Sequence, residues 1–283
     1  MEAAATDDEV KWALAIQRAA QEDPDINAEM LTDLECLQHA FVAKSDVDKA
    51  LTRMKRLQRF KEKYGIKLNG SYEEGVRAFR TAKQRCEGFG LSLAALRNET
   101  HVCCSNYASF MAREVRSDEY YAVVMRGEFY FLQAMFPTIA AMRAGAIFLS
   151  DGKGYGLLNY SFKLEERMAQ LFSHAYPMRV EKMVMMNANW LMIVLQVALN
   201  AFMSKKMREV RCLARDRDVY LAQHRPQYPP TVLPVEWGGT LPLEAYEETV
   251  VRNLQQRYQL EESFRLPKNS SSSSSSSTTE TVD

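Results

Sequence analysis

The 21 residues from Met183 to Met203 contain no Asp, Glu, Lys, Arg or His. A run this long and apolar either spans a bilayer, for which about 20 residues suffice, or is divided among elements buried inside a globular fold. The residues favour division. Asn187, Asn189, Gln196 and Asn200 interrupt the run, and unpaired amides are costly in hydrocarbon. Glu181 to Asn187 suits a strand, Asn187-Ala188-Asn189 a turn, and Trp190 to Ser204 a helix. On that helix Gln196, Asn200 and Ser204 recur every four residues and leave a narrow polar stripe on an apolar cylinder. It is either a buried core helix or a movable lid over an apolar pocket. Seven of the 15 methionines (Met178, Met183, Met185, Met186, Met192, Met203, Met207) lie in or beside this stretch. Flexible thioethers fit irregular partners as well as they fill cores.

The rest of the chain divides in two. From Asp8 to about Gly90 the pattern is helical, with Trp12, Ile16 and Ala19 at helical spacing. Thr32 and Asp46 offer N-caps, Gly65 a stop, and Tyr72 to Cys86 a further helix presenting Val76, Phe79 and Ala82. Beyond Gly90 apolar runs alternate with amphipathic helices, the pattern of a mostly parallel sheet with helical crossovers. Strands are expected at Val102 to Tyr107, Ala144 to Ser150, Lys182 to Asn187 and near Val210 to Leu213. Helices are expected at Asp118 to Met142, Leu164 to His174 and Glu244 to Arg265. Five of the nine prolines fall between Pro226 and Pro242, which makes that segment extended loop. The serines and threonines from Asn269 onward have nothing to bury and read as disordered. The expected organisation is α/β: a helical N-terminal domain at 8–90, an α/β domain at 91–266 and a tail at 267–283.

Several functions lack their residues. Lys plus Arg and Asp plus Glu both total 36, which gives no reason to expect nucleic acid. The acidic start, Met1 to Glu9, is unlike a secretory signal and predicts a cytoplasmic protein. Five cysteines without Cys-x-x-Cys spacing predict neither a disulfide framework nor a zinc site. Gly152-Lys153-Gly154-Tyr155-Gly156 is not Gly-x-Gly-x-x-Gly and reads as a tight turn after a strand. There is no Gly-x-Ser-x-Gly elbow, and His39, His101, His174 and His224 lack metal spacing. We therefore expect a monomer that is not an enzyme and takes no cofactor or metal. Arg179, Lys182, Lys205, Lys206, Arg208 and Arg211 flank the apolar helix and its strand. They form either a solvated helix end or a surface for anionic membrane, where a basic residue contributes about 1 kcal/mol.

Four motifs in order resemble the CRAL-TRIO lipid-binding family, which includes the cellular retinaldehyde-binding and tocopherol-transfer proteins. Cys36 to Ala50 resembles its N-terminal motif ending in Asp-Val-Glu-Lys-Ala, and Ala146 to Gly154 resembles its Phe-Asp-Leu-Glu-Gly strand. Tyr176-Pro177 followed by Asn187-Ala188 resembles the next strand and its flanks, with Asn189 in place of proline. Leu233 to Thr240 resembles the Leu-Pro-x-Glu-Tyr/Phe-Gly-Gly closure. The resemblance implies a sheet flooring an apolar pocket and transfer of one retinoid, tocopherol or other lipid between membranes, with Trp190 to Ser204 as lid. Under it the lining would include Tyr107, Phe131, Met135, Ile147, Leu149, Met185, Leu191, Ile193, Val194 and Val197. Met178 and Glu209 stand where the fungal phosphatidylinositol-transfer branch has glutamate and lysine, so headgroup contacts of that branch are not carried over. Arg179 and Lys206 match the phosphoinositide-binding patch of the tocopherol-transfer branch, and Glu181 reverses a third charge. Arg179, Lys205, Lys206, Arg208 and Arg211 would dock on anionic membrane. The alternative is a lipid-responsive recruitment or scaffold protein that binds phosphoinositides without delivering cargo.

Overall fold

Side-chain caps open the first helices. Thr6, Thr32 and Asp46 each accept a hydrogen bond from a backbone N–H three residues on, and start α1 (Asp7–Glu22), α2 (Asp33–Ala43) and α3 (Val47–Lys63). At Thr6 the Glu9 carboxylate returns the bond, completing a capping box. Gly65, at φ +63°, follows the end of α3. In α4 (Tyr72–Arg85), Val76, Phe79 and Ala82 are buried as their spacing predicts. This computed structural model describes residues 4–67, 70–85, 90–109 and 117–267. Cys86, the Gln196 side chain and the tail from Lys268 lie outside the described residues.

Five strands follow in spatial order β1 (Gly90–Ala95), β2 (His101–Asn106), β3 (Ala146–Asp151), β4 (Val180–Met186) and β5 (Arg211–Leu213). The pairings from β2 to β5 are parallel, and β1 is an antiparallel edge that the sequence reading did not contain. Its six residues, Gly-Leu-Ser-Leu-Ala-Ala, are short and too rich in Gly and Ala to signal a strand. The single helix expected from Asp118 to Met142 is two. Pro137 cannot continue α5 (Asp118–Ala134), and Thr138 then caps α6 (Ile139–Ala144).

Register decides what each sheet face covers. Phe148 pairs with Met183 and Ser150 with Met185, while Ile147 pairs with Lys182 and Leu149 with Val184. Neighbouring residues on a strand point to opposite faces. Phe148 and Cys103 join the core made with α1 to α6 and α11 (Glu244–Ser263). Ile147, Leu149, Val102 and Val184 instead pack beneath α10 (Arg217–Gln223) and the proline-rich segment, against Tyr228, Leu233 and Trp237.

Polar ties fasten the N-terminal helices to the sheet. Buried Arg257 of α11 donates to the Phe136 carbonyl at 3.3 Å and to Gln38 Oε1 at 2.8 Å, and Gln38 Nε2 donates to the Pro177 carbonyl at 3.0 Å. Arg53 of α3 donates to the Tyr176 and Ser173 carbonyls. The closing segment folds back on itself, with Val235 N–H donating to the Leu241 carbonyl and Leu241 N–H to the Leu233 carbonyl. Gly238 sits at φ +74°, and a Cβ on Gly239 would lie 2.0 Å from the Leu233 carbonyl oxygen.

Candidate functional site

At the β4–β5 edge the helix-covered face of the sheet carries Met183, Met185, Arg211 and Leu213. Opposite them, α7 (Phe162–Ala169) and the π-helical turn Gln170–Ala175 supply Glu165, Met168, Phe172 and Ser173. Above lie Met192 and Leu195 of α8 (Trp190–Leu199), then Met203, then Met207 of α9 (Lys205–Glu209). Tyr107 and Tyr155 complete the wall. These side chains enclose about 90 Å³, well under the roughly 300–1,000 Å³ of small-molecule pockets. Six of them are unbranched thioethers that swing aside at low cost.

The chain holds α8 in place by its polar turn. Asn189 Oδ1 accepts the Met192 N–H at 3.0 Å, capping the helix, while its Nδ2 donates to the Tyr155 carbonyl at 2.7 Å. Asn187, at φ +51°, donates from Nδ2 to Asp151 Oδ1 at 2.8 Å. Buried Asp151 also accepts from Arg217 Nη1 at 2.9 Å, and that guanidinium stacks 5.7 Å from the Trp237 ring centroid. Gly152 leaves the gap that Met192 fills, since a Cβ there would lie 2.3 Å from its sulfur. Leu191 and Met192 pack on Tyr155. The outward face of α8 is apolar too: Trp190, Ile193, Val194 and Val197 are 72, 47, 58 and 71% exposed.

Electrostatically the cavity is not uniform. Burial pushes the Glu165 carboxyl up to about 7, with the Arg211 charge opposing the rise. Burial likewise lowers the Arg211 pKa, against the pull of Tyr107 and Glu165. Arg211 Nη1 donates to Met203 Sδ at 3.1 Å. Outside the cavity, partial burial lowers the Lys206 pKa, as do the neighbouring charges of Arg179, Lys49, Arg53 and Lys44. Lys205 makes an exposed 4.0 Å pair with Glu209, and Arg208 donates to the Asn200 carbonyl. Arg179 is exposed on the approach to β4. Among the described residues no helix is long and apolar enough to cross a membrane, and no group of three His, Cys, Asp or Glu could hold a metal ion.

Of the residues expected to line the pocket, Tyr107 and Met185 do so, and Leu191 is buried beside it. Phe131 and Met135 lie instead in the core beneath α5, and Ile147 and Leu149 lie on the opposite sheet face. Ile193, Val194 and Val197 point outward. Arg211, expected on the membrane surface, lines the cavity. Tyr155, Glu165, Met168, Phe172, Met192, Leu195, Met203 and Met207 were not among the expected lining residues. The methionine cluster was the available signal for three of them; Glu165 and Phe172 had none, because they sit on an ordinary amphipathic helix and the turn that follows.

The family model of the CRAL/TRIO domain matches residues 98–239. No curated protein matches the chain. Among solved structures, the crystal structure of Sfh5 aligns with a TM-score of 0.54 at 11% identity, covering 91% of this chain and 99% of that one, a likeness of fold. The matched motifs, the mostly parallel sheet and its helical preface together make this chain a member of the CRAL/TRIO family, whose members bind small lipophilic molecules.

Proposed function

We propose that the chain binds one small hydrophobic molecule in the cavity under α8 and carries it between membranes, with α8 as a lid. The carrying observation is a helix apolar on both sides, whose inner face closes a methionine-lined cavity and whose outer face is exposed. Burying apolar ligand surface at about 25 cal/mol per Å² stabilises the closed form. Exposed Trp190, Ile193, Val194 and Val197 insert into the bilayer boundary, where opening exchanges water contact for lipid contact. Arg179, Lys206, Lys44, Lys49 and Arg53 form one positive neighbourhood beside the lid, suited to an anionic, cytoplasm-facing leaflet. No covalent step is needed, and no cofactor enters the mechanism.

Transfer of a fluorescent lipid from neutral donor to anionic acceptor vesicles tests this reading. We expect transfer to slow with added salt, since screening at physiological ionic strength acts over about 8 Å, and to slow when Lys206 and Arg179 become Glu. A protein that carries no lipid between the vesicles overturns it. A second reading, membrane recruitment without delivery, is favoured by a groove of about 340 Å³ along α3, lined by Arg56, Arg59, Lys63 and His174. Binding to phosphoinositide vesicles with no cargo transfer would select it.

A further inference from the structure

A cavity for pure hydrocarbon has no use for a guanidinium. Arg211 lines this one, and among the described residues its one hydrogen bond goes to a methionine sulfur, a weak acceptor. Among the described residues no carboxylate oxygen lies within 4.0 Å of it. The guanidinium keeps its charge at any physiological pH; it is half-buried and partly withdrawn from water, and a desolvated charge without a close counter-ion is costly. Ser173, 3% exposed, lines the same cavity, and its Oγ has no hydrogen-bond partner among the described residues. Glu165 faces the cavity too, close enough for the two charges to act on each other but beyond ion-pair distance of Arg211.

We propose that the cargo is a single-chain amphiphile with an anionic head, a carboxylate or a phosphate, the head held by Arg211 and the chain laid along the methionines. This rests on the reading of the cavity as the lipid site and names the class of lipid. An anionic head supplies the acceptors that Arg211 lacks, and the planar guanidinium fork matches two oxygens of one head group. The opposite choice, a cationic head on Glu165, fits less well. Burial raises that carboxyl to about 7, so near neutral pH it readily takes a proton and becomes a donor, while Arg211 stays positive. Protonated Glu165 and the Ser173 hydroxyl then add hydrogen bonds to the same head. One chain suits a small space that widens by methionine rotation.

The test uses the full chain and three probes sharing one fluorescent polyene chain: cis-parinaric acid, its methyl ester, and the phosphate of the corresponding alcohol. Charge-assisted hydrogen bonds predict that the acid or the phosphate binds at least about tenfold more tightly than the neutral ester. Arg211→Met should abolish that preference while ester affinity stays within about twofold, and Arg211→Lys should restore part of it. Preference for the phosphate alone selects that head; preference for the acid alone selects the other. Equal affinity for all three in the unaltered protein overturns the inference and leaves lipid binding standing. Binding of none removes both. A preference that survives Arg211→Met also overturns the assignment. Should that variant fail to fold, the acid-to-ester ratio of the unaltered protein decides.

Discussion

Adjacent glycines in the closing segment answer to different constraints. Gly238 needs its left-handed backbone, at φ +74° with open space around it, whereas Gly239 is in close contact with the Leu233 backbone. Gly238→Ala is therefore expected to cost about 1 kcal/mol, the ordinary left-handed penalty. Gly239→Ala should cost more than about 2 kcal/mol, because the neighbour that must yield is main chain and not a flexible side-chain end. Urea denaturation of the two variants measures the difference, and equal losses would contradict it. The Gly-Gly pair was legible in the sequence, while the separate reasons for its two members were not, since close approach is a tertiary fact. Asn189 teaches the same lesson in reverse: read as a departure from a proline, it is the residue that caps α8 and ties it to Tyr155.

At the scale of elements, α8 was recognisable as a lid candidate, but its inner and outer faces were not. Periodicity separates faces only when one of them is polar, and here Leu191, Met192 and Leu195 face inward while Trp190, Ile193, Val194 and Val197 face out. The sheet face of Ile147 and Leu149 was hidden for another reason. Choosing the pocket side of β3 needed its register against β4, and pairing Leu149 with Val184 sets both on the face away from Met185. A matched pair of substitutions follows. Leu195→Trp fills the cavity and should reduce uptake of a fluorescent lipid by about tenfold or more, given the 1–3 kcal/mol typical of overpacking. Val194→Trp, on the exposed face, should leave uptake unchanged; the reverse outcome in a fluorescence titration would exchange the two faces.

For the whole molecule, the family match at residues 98–239 is smaller than the folding unit. Tyr246, Val250 and Leu254 of α11 share one core with α1 to α6 and the sheet, and Arg257 bridges α11 to α2. A fragment covering 98–239 should fail to give a cooperative thermal transition, whereas the full chain should melt as one unit; circular dichroism distinguishes them. Helical and α/β halves were visible as separate textures in the sequence, but their joint core was not, because the residues that join them are far apart in the chain.

Desolvated titratable groups, the buried His39 and His101 and the half-buried Glu128 and Glu165, also make stability depend on pH in two opposed ways. His39 and His101 stay neutral in the fold, the latter down to about 4, while the unfolded chain takes up protons below the ordinary 6.5, so stability falls as pH drops through that range. Glu128 and Glu165 keep their protons in the fold up to about 7, while the unfolded chain releases them near 4.5, so stability falls as pH rises between those values. Glu165→Gln should remove its share of the second loss, a gain of about 1–3 kcal/mol at pH 8 relative to pH 5. Denaturant titration of parent and variant at both pH values measures it, and an identical pH dependence would contradict it.

The thioethers that make the cavity adaptable also make it chemically vulnerable. Conversion of Met183, Met185 or Met192 to the sulfoxide would set a polar, chiral group where an alkyl chain should lie. If the cavity is the lipid site proposed above, a peroxide would spoil it most readily when empty, and a bound lipid would act as the antioxidant shield of its own binding site.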